Sequence, residues 1–420
     1  MSSSTRITDS SDGLDITKVL TDRKGYAKVL IHRKSDGEVL LAQTLEGEGR
    51  PARIKAIVDS GFGEILENLL NHENLVSIAG YVSTTDPEAG AERGKTARFM
   101  AWDYCDAGTL ELLFRDPPVL PRSGGFLPAS LCWHVVLSLL RGLAWLHDGY
   151  REDEAAYMVD RHMADVRFGD DPRLGVQRHA RPFVADPDWM PILHRAITPE
   201  NVFFQQPRGI ESYGLCKLGN YSHIHVSGHV NARSVKGVVV APERGDAPVM
   251  GMWLQLLKGK AAIRSEPKDK RPYTQGSELF AVGALLYRMM TFHELPDPDE
   301  CPGCGCLHLD PDAPACVHDC KGAVDVSKGR ELFDGLLAEY AGLDEVVGDL
   351  LQYHRSTECP ATWEVYRMAQ EAFEQWRLKD PDGRMFVTLE DDLHRRWGIE
   401  YAAAAQRQRE GSPLRISLLD

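Results

Sequence analysis

The sequence lacks any run of about 20 apolar residues, the length that a membrane-spanning helix needs. Its first segment, residues 1–13, is rich in Ser, Thr and Asp and has no apolar centre, so it does not have the pattern of a secretory signal. We expect this leader to be disordered and solvated, because it has little apolar surface to bury. These absences predict an intracellular protein, cytoplasmic or nuclear, with no membrane partner.

Positive charge is also in short supply. The 420 residues include 48 Lys and Arg against 62 Asp and Glu, which gives a formal net charge of −14. Nucleic-acid binding needs clustered basic side chains against the phosphates, so a nucleic-acid partner is not expected. The length and a hydrophobic fraction of 43% are enough for one large two-lobed domain or two smaller ones.

Cysteine is not scarce, but it is unevenly placed. Four of the nine cysteines are dispersed, and the other five fall between Cys301 and Cys320. In a reducing compartment, such a cluster favours metal ligands over disulfides. In the pattern Cys301-Pro-Gly-Cys304, Pro and Gly allow a tight turn that directs two thiolates at one ion.

A second pair, Cys316 and Cys320, can complete a closed tetrahedral site, and structural zinc is the ion that such a set favours. The alternative ligands in the same stretch are Cys306, His308 and His318. Because seven candidates compete for four positions, the ligand set remains open. The other interpretation is a loop of unpaired thiols, or of disulfides if the protein is secreted.

The chain divides into a β-rich first part and a mainly helical second part. Two apolar runs, at 28–32 and 38–45, flank a Ser-Asp-Gly turn and predict a hairpin. Further strands are predicted at 75–82 and 97–102. Apolar spacing predicts helices at 64–70, 129–147, 278–290, 332–353 and 363–376.

The segment His194-Arg-Ala-Ile-Thr-Pro-Glu-Asn201 resembles the catalytic loop of protein kinases, usually His-Arg-Asp-x-Lys-Pro-Glu-Asn. Other kinase-like segments follow and precede it in the family's order. They are Lys217-Leu-Gly-Asn-Tyr-Ser222, Ala241-Pro-Glu243, Glu278-Leu-Phe-Ala-Val-Gly283, the hinge-like Asp103-Tyr-Cys-Asp-Ala-Gly-Thr-Leu110 and His72-Glu-Asn-Leu-Val76. The resemblance implies an α+β, bilobal kinase-like fold with a small β-rich N-lobe and a larger, mostly helical C-lobe.

The same resemblance implies that the charged groups of phosphoryl transfer are missing. Ala196 stands where the family has the Asp that accepts the substrate's proton, and Asn220 stands at the Asp that binds magnesium. The phosphate-binding Lys position is Gln43 and its Glu partner position is Gly63. Thr198 replaces the loop Lys, whereas Asn201, the second metal ligand of the family, is retained.

The nucleotide end of the first lobe departs from the family as well. The Gly-x-Gly-x-x-Gly positions become Asp22, Lys24 and Ala27, whose side chains hinder close approach of the backbone to phosphates. Trp102 maps onto the gatekeeper position and would narrow the rear of an adenine pocket. We therefore expect no ATP cofactor.

The resemblance implies the following layout: a leader at 1–13, an N-lobe at 14–106, a C-lobe at 107–380 and a tail helix at 381–420. Insertions are expected at 151–190, 246–274 and, carrying the cysteines, 297–321. The long segment before the catalytic loop and the Cys/His-rich stretch are most similar to fungal kinase-like proteins.

The expected function is that of a catalytically inactive pseudokinase, a scaffold or allosteric regulator that binds protein partners. Residues 249–271, an apolar run followed by basic side chains, and the C-terminal tail are the candidate docking elements. Two alternatives remain open: a divergent phosphotransferase with compensating residues, and a binding module that nucleotide controls without catalysis.

Overall fold

A computed structural model describes part of the chain. The described residues are 7–9, 14–23, 26–34, 37–44, 63–84, 97–115, 126–152, 183–184, 189, 191–221, 224–226, 274–295, 340–354, 359–389, 391–393 and 395–396. Within them the fold is mixed α+β, as the sequence predicts. Its secondary structure separates into an N-terminal sheet and a later, largely helical part.

The N-terminal sheet has six strands in the order β1-β5-β6-β4-β3-β2. Their bounds are β1 Ile7–Asp9, β2 Leu14–Arg23, β3 Tyr26–Arg33, β4 Val39–Thr44, β5 Ile78–Thr84 and β6 Ala97–Asp103. The predicted hairpin is confirmed as β3 and β4, and Gly37 takes the positive φ of 77° that its turn requires. The strand predicted at 75–82 begins three residues later than expected, at Ile78, because residues 73–74 form a turn and Leu75 forms an isolated bridge with Leu218.

Strand β1, Ile7–Asp9, lies within the segment that the sequence predicts to be a disordered leader. Ile7–Asp9 pairs in parallel with β5, because that edge strand offers backbone groups that a short extended segment can satisfy. In a flat sheet β1 and β2 would be about 24 Å apart, from a strand spacing of about 4.8 Å. The five Cα steps from Asp9 to Leu14 reach only about 18 Å. The sheet must therefore be curled, so that its two edges approach each other.

Side chains alternate between the two faces of the sheet, as they do along any strand. In β4, Leu40 and Ala42 are buried in a small core together with Val29, Ile31 and Phe99. The intervening residues of β4 face the opposite side, as do Met100 and Trp102 of β6, which join the large core shared with the helices.

The helical part is built around one long central helix. The helices are α1 Gly63–Leu70, α2 Glu111–Arg115, α3 Ala129–Asp148, α4 Gln275–Thr291, α5 Leu343–Leu351, α6 Thr362–Lys379 and α7 Pro381–Met385. The predictions at 64–70, 129–147, 278–290 and 363–376 are confirmed. The helix predicted at 332–353 is described as α5 followed by one 3₁₀ turn, Gln352–His354, and residues 332–339 lie outside the described part.

Helix α3 is 20 residues long and apolar enough to meet the length and composition criterion for a membrane span. This finding differs from the expectation that no run in the chain approaches the length and composition of a membrane span. Thirteen of its residues are buried by the surrounding chain, and α4 and α6 pack directly against it. Burial of this kind is typical of a core helix.

Short strands in the loops between the helices pair to form three small sheets. The further strands are β7 Gly108–Thr109, β8 Arg151–Glu152, β9 Phe183–Val184, β10 Ile192–Leu193, β11 Val202–Phe204, β12 Cys216–Leu218 and β13 His225–Val226. The orders are β7-β11-β12, β8-β9 and β10-β13. The β8–β9 pair brings together the two ends of the predicted insertion at 151–190.

Candidate functional site

The kinase-like loop is placed by the antiparallel pair β11–β12. Val202 pairs with Leu218, so the residues just before β11 meet those just after β12. The backbone N–H of Gly219 accordingly donates to the carbonyl of Asn201 at 2.9 Å. This pairing brings four of the six predicted site residues close together in space. They are Ala196, Thr198, Asn201 and Asn220.

The centre of this site is a hydrogen-bonded pair of amide side chains. Asn220 Nδ2 donates to Asn201 Oδ1 at 2.8 Å. Asn201 Nδ2 in turn donates to the carbonyl of Ala196 at 2.9 Å and to Thr198 Oγ1 at 3.0 Å. The side chain of Asn201 is buried, whereas Asn220 is exposed. Both polar ends of Asn201 are thus engaged by protein groups.

The chemistry of this pair is neutral. Magnesium prefers anionic oxygen ligands and keeps an octahedral shell, so carboxylates are the usual protein ligands. Two amides supply dipoles without charge, and here one amide oxygen already accepts a bond from the other amide. Ala196, which stands at the base position, carries only a methyl group and can neither accept nor donate a proton. Neither of the two positions that the resemblance matches to the charged groups of phosphoryl transfer carries a charge.

A buried carboxylate accepts hydrogen bonds from the backbone of the loop. Glu278, in the first turn of α4, is 2% exposed and accepts from the backbone N–H of His194 at 2.9 Å and of Arg195 at 2.5 Å. His147 Nε2 lies 2.8 Å from the same carboxylate. Arg195 has a φ of 64°, a left-handed conformation that is costly for a side-chain-bearing residue and that these bonds hold in place.

The protonation of Glu278 follows from this environment. Burial by itself disfavours the charged form, but bonds and charges from His147, the charge of His194 and the Arg195 N–H outweigh it. The pKa of Glu278 therefore lies below its ordinary value, and the carboxylate is ionised at neutral pH. His147 Nδ1 continues the network to Thr362 Oγ1 at 2.8 Å, so one cluster joins α3, α4, α6 and the loop.

Gln43 and Gly63 lie on other elements. Gln43 is half-buried on β4, directly opposite Lys28 of β3 and Met100 of β6, on the face that points away from the small core. Gly63 is the first residue of α1. Asp22 and Ala27, two of the positions that the resemblance matches to the family's glycines, pair directly across the β2–β3 hairpin.

Tyr221 is a site residue that sequence reasoning missed. Its hydroxyl donates to the carbonyls of Val76 and Leu218 at 2.8 and 3.0 Å, and burial raises its pKa well above the ordinary value. Its ring stacks on Trp102 at 6.1 Å and meets His194 edge-on at 5.8 Å. The signal was available, since Tyr221 occupies the Phe position of the motif that identified Asn220.

A buried ion pair behind the site was also missed. Lys217 Nζ lies 2.8 Å from Asp103 Oδ2, with side-chain exposures of 6% and 16%. The Asp103 carboxylate also accepts from the backbone N–H of Ser77 at 3.0 Å, and Lys217 donates to the Leu75 carbonyl at 3.3 Å. The pair connects the end of β6 to β12. Both residues belong to the kinase-like motifs, but their pairing was not foreseen.

The predicted zinc ligands Cys301, Cys304, Cys316 and Cys320, and the alternates Cys306, His308 and His318, lie outside the described residues. So do the candidate docking residues 249–271. Within the described ranges, no group of three or more His, Cys, Asp or Glu side chains is arranged to hold a metal ion. The zinc site remains a prediction.

No protein-family profile matches this sequence, and no curated protein matches it at a significant level.

Proposed function

We propose that the chain is a bilobal kinase-like protein without catalytic activity, most similar to fungal kinase-like proteins, that acts by binding protein partners inside the cell. The observation that carries the proposal is the amide pair of Asn201 and Asn220. These two residues stand at the family's metal-binding positions, and they bond to each other beside Ala196. A neutral, internally satisfied pair replaces the charged centre on which the reaction depends.

The expected effect of these residues on the rate of phosphoryl transfer supports this proposal. A general base contributes roughly 10²–10⁴-fold to a rate, and Ala196 cannot supply one. Loss of the metal's charge neutralisation lowers the rate further, although such effects do not simply multiply. From the roughly 1–100 s⁻¹ that is typical of kinases, the residual rate falls far below a useful turnover.

The supporting framework is kept although the chemistry is lost. Glu278 still receives the two backbone N–H groups of the loop, and Tyr221 is fixed by two hydrogen bonds and two ring contacts. A surface for partners requires a stable shape and no turnover. A scaffold or allosteric regulator is therefore the function that this arrangement favours.

Two measurements on the purified full chain test this function. Incubation with radiolabelled ATP and Mg²⁺ should transfer no phosphate to the protein or to generic substrates. In a thermal-shift assay, neither ATP nor Mg-ATP should raise the unfolding temperature, because a ligand that does not bind cannot stabilise. Phosphate transfer by the unmodified chain would end the proposal.

One observation favours the divergent phosphotransferase as a second candidate. Lys28 lies directly opposite Gln43, so an ammonium group is carried on the strand beside the one where the family has its phosphate-binding Lys. If this candidate is correct, Mg-ATP stabilises the wild type, and Lys28→Ala abolishes that shift. Lys379→Ala, at an exposed position on α6, is the matched control. Stabilisation by ATP without Mg²⁺ would instead favour the nucleotide-controlled binding module.

We also propose that Cys301, Cys304, Cys316 and Cys320 bind one structural zinc ion. Their support is the spacing of thiols with Pro and Gly in a short polar stretch. Native mass spectrometry should show about one zinc per chain, and Cys301→Ser with Cys304→Ser should remove it. A folded, metal-free wild-type protein would contradict the zinc proposal and leave the pseudokinase proposal intact.

A further inference from the structure

The segment that follows α7 is bound to the helical core at its start; its described residues 386–389, 391–393 and 395–396 are here named the tail clasp. Phe386 is buried, and its ring lies 5.6 Å from that of Phe373, 5.9 Å from Tyr213 and 6.0 Å from Trp376. Arg377 Nη2 donates to the Phe386 carbonyl at 3.3 Å. The first residue of the clasp is therefore held by packing on α6.

The next residues begin a short helical segment. The N–H of Thr388 donates to Asp391 Oδ2 at 2.9 Å, and the N–H of Asp391 donates to Thr388 Oγ1 at 3.1 Å. This is the reciprocal pattern of a capping box. Arg377 Nη2 also lies 2.7 Å from Asp391 Oδ2. The clasp thus has its own local order and one further attachment to α6.

The clasp binds the loop between β11 and β12, here named the hairpin loop (residues 205–215). The backbone N–H of Ser212 donates to the Val387 carbonyl at 2.8 Å, and the N–H of Val387 donates to Ser212 Oγ at 2.9 Å. Arg396 Nη2 donates to the Arg208 carbonyl at 3.4 Å. Two ends of the clasp are therefore fixed to the hairpin loop.

Asp392 is the buried centre of this contact. Its residue is 0% exposed, and its carboxylate contacts Arg395 at 3.0 Å, Arg396, and the backbone N–H of Ile210. A Cβ atom added at Gly209 would overlap with Asp392 Oδ2 and with the side-chain ends of Arg396 and Glu211, so these side chains would have to shift. The loop and the tail are complementary in shape at this point.

The charges around Asp392 keep it ionised. Burial raises the pKa of the carboxyl, but the bonds from Arg395, Arg396 and the Ile210 N–H outweigh that effect and lower it. Buried Glu211 also belongs to this cluster, and one of its oxygens accepts from the Arg208 N–H at 2.5 Å. The contribution of the ionised Asp392 carboxylate to this contact is thus present at neutral pH and decreases as the pH falls through the lowered pKa.

The hairpin loop in turn holds the hinge segment (residues 103–108), which runs from the last residue of β6 to the first residue of β7. The N–H of Gln206 donates to Asp106 Oδ1 at 2.8 Å, and Gln205 Nε2 donates to the Tyr104 carbonyl at 3.2 Å. The N–H of Ala107 donates to the carbonyl of Phe204, the last residue of β11, at 3.0 Å. A continuous set of bonds therefore leads from the clasp to the hinge segment.

We propose that the tail clasp restrains the hinge segment reversibly, an arrangement here named the lock. Asp392, here named the catch, fixes the clasp to the hairpin loop, and the hairpin loop passes the restraint on to the hinge segment. While Asp392 is seated, the hairpin loop is ordered and the hinge segment is held. When a partner or a modification draws the clasp away, the loop loses its tail contacts and the hinge segment loosens. The inference does not depend on whether the site binds nucleotide.

Hydrogen exchange of the full chain, followed by mass spectrometry, tests the lock. Asp392→Asn keeps the volume and removes the charge, so exchange should accelerate roughly tenfold in the hairpin loop and also in the hinge segment, because the hydrogen bonds to the charged carboxylate are weakened. Peptides of α3 should not change. Glu371→Gln, at an exposed position on α6, is the control and should leave all exchange rates unchanged.

Faster exchange confined to the clasp and the hairpin loop, with the hinge segment unchanged, would overturn the proposal. If Asp392→Asn also accelerates hydrogen exchange in α3, the variant has weakened the fold itself. The Arg396→Ala variant then decides whether the proposal holds. The Arg396 side chain is 44% exposed, so its removal loosens the catch without opening the core. Faster hinge exchange in Arg396→Ala supports the lock, and unchanged hinge exchange rejects it.

Discussion

At the scale of single residues, the centre of the site is a neutral pair of amides at positions that the resemblance matches to metal ligands. Asn220 and Asn201 have the size of metal ligands, but their bond to each other uses the groups that would face an ion. Neighbouring Thr198 adds a hydroxyl to the same network. Asn220 carries an amide nitrogen where the resemblance places a carboxylate oxygen, and this nitrogen donates the internal hydrogen bond.

Restoring that charge should restore cation binding. In Asn220→Asp the new carboxylate faces Asn201 Oδ1, so the metal-free variant should be less stable by about 1 kcal/mol. Mg²⁺ should reverse this loss, adding about 1.4 kcal/mol at ten times its Kd. Differential scanning fluorimetry against a Mg²⁺ series measures both effects. The wild type is the control, and equal Mg²⁺ stabilisation of the wild type would contradict the prediction.

The buried carboxylate of Glu278 carries the second prediction at this scale. Glu278→Gln leaves a buried network without its charge, so the free energy of unfolding should fall by about 3 kcal/mol at neutral pH. The pKa of Glu278 is lowered in the folded state. Its contribution is therefore complete above the ordinary carboxyl pKa and disappears as the pH falls through the lowered value.

Urea unfolding of wild type and Glu278→Gln from pH 7 down to acidic pH gives the test. The difference in the free energy of unfolding between wild type and Glu278→Gln should be constant at neutral pH and should shrink on acidification. A difference that grows as the pH falls would have the wrong sign. Glu371→Gln, a carboxamide change at an exposed position, should differ little from wild type at any pH.

At the scale of elements, the start of α4 determines where the loop of the site is supported. Thr274 caps this helix. Its side-chain oxygen accepts a hydrogen bond from the N–H of Ser277, and the hydroxyl oxygen of Ser277 accepts one from the N–H of Thr274. The cap fixes the first turn, in which Glu278 lies. Sequence periodicity finds the body of such a helix well, but its capping geometry depends on the folded backbone.

Thr274→Ala should therefore cost about 1 kcal/mol of stability, the usual value for losing an N-cap. Because the first turn also carries the support for His194, the same change should raise hydrogen exchange in residues 192–198. Ser277→Ala removes only the reciprocal bond and should have the smaller effect of the two. Equal losses in both variants would argue against Thr274 as the dominant cap.

At the scale of the whole molecule, the N-terminal sheet and the helical part share one core. Ile78, Tyr81 and Met100 of the sheet pack in the same cluster as α3, α4 and α6. The Lys217–Asp103 ion pair joins residues that are 114 positions apart. We expect this pair to couple the unfolding of the two parts.

Lys217→Met leaves Asp103 without its buried counter-charge, and the free energy of unfolding should fall by about 3 kcal/mol. Adding Asp103→Asn should recover part of the loss, because the unpaired charge is then removed. Denaturant unfolding of the single and double variants provides the measurement. Lys379→Met, at an exposed position, is the control, and its effect should stay within about 0.5 kcal/mol.

The sequence by itself determined the α+β class, the main helices, the first hairpin and the missing charges, because these depend on local patterns and on residue identity. Ala196 cannot become a base in any fold. Only the tertiary structure decided that Asn201 and Asn220, 19 positions apart, bond to each other, and that Ser212 meets Val387 across 175 positions. Such contacts are set by strand pairing and packing between distant segments, and no local sequence signal encodes them.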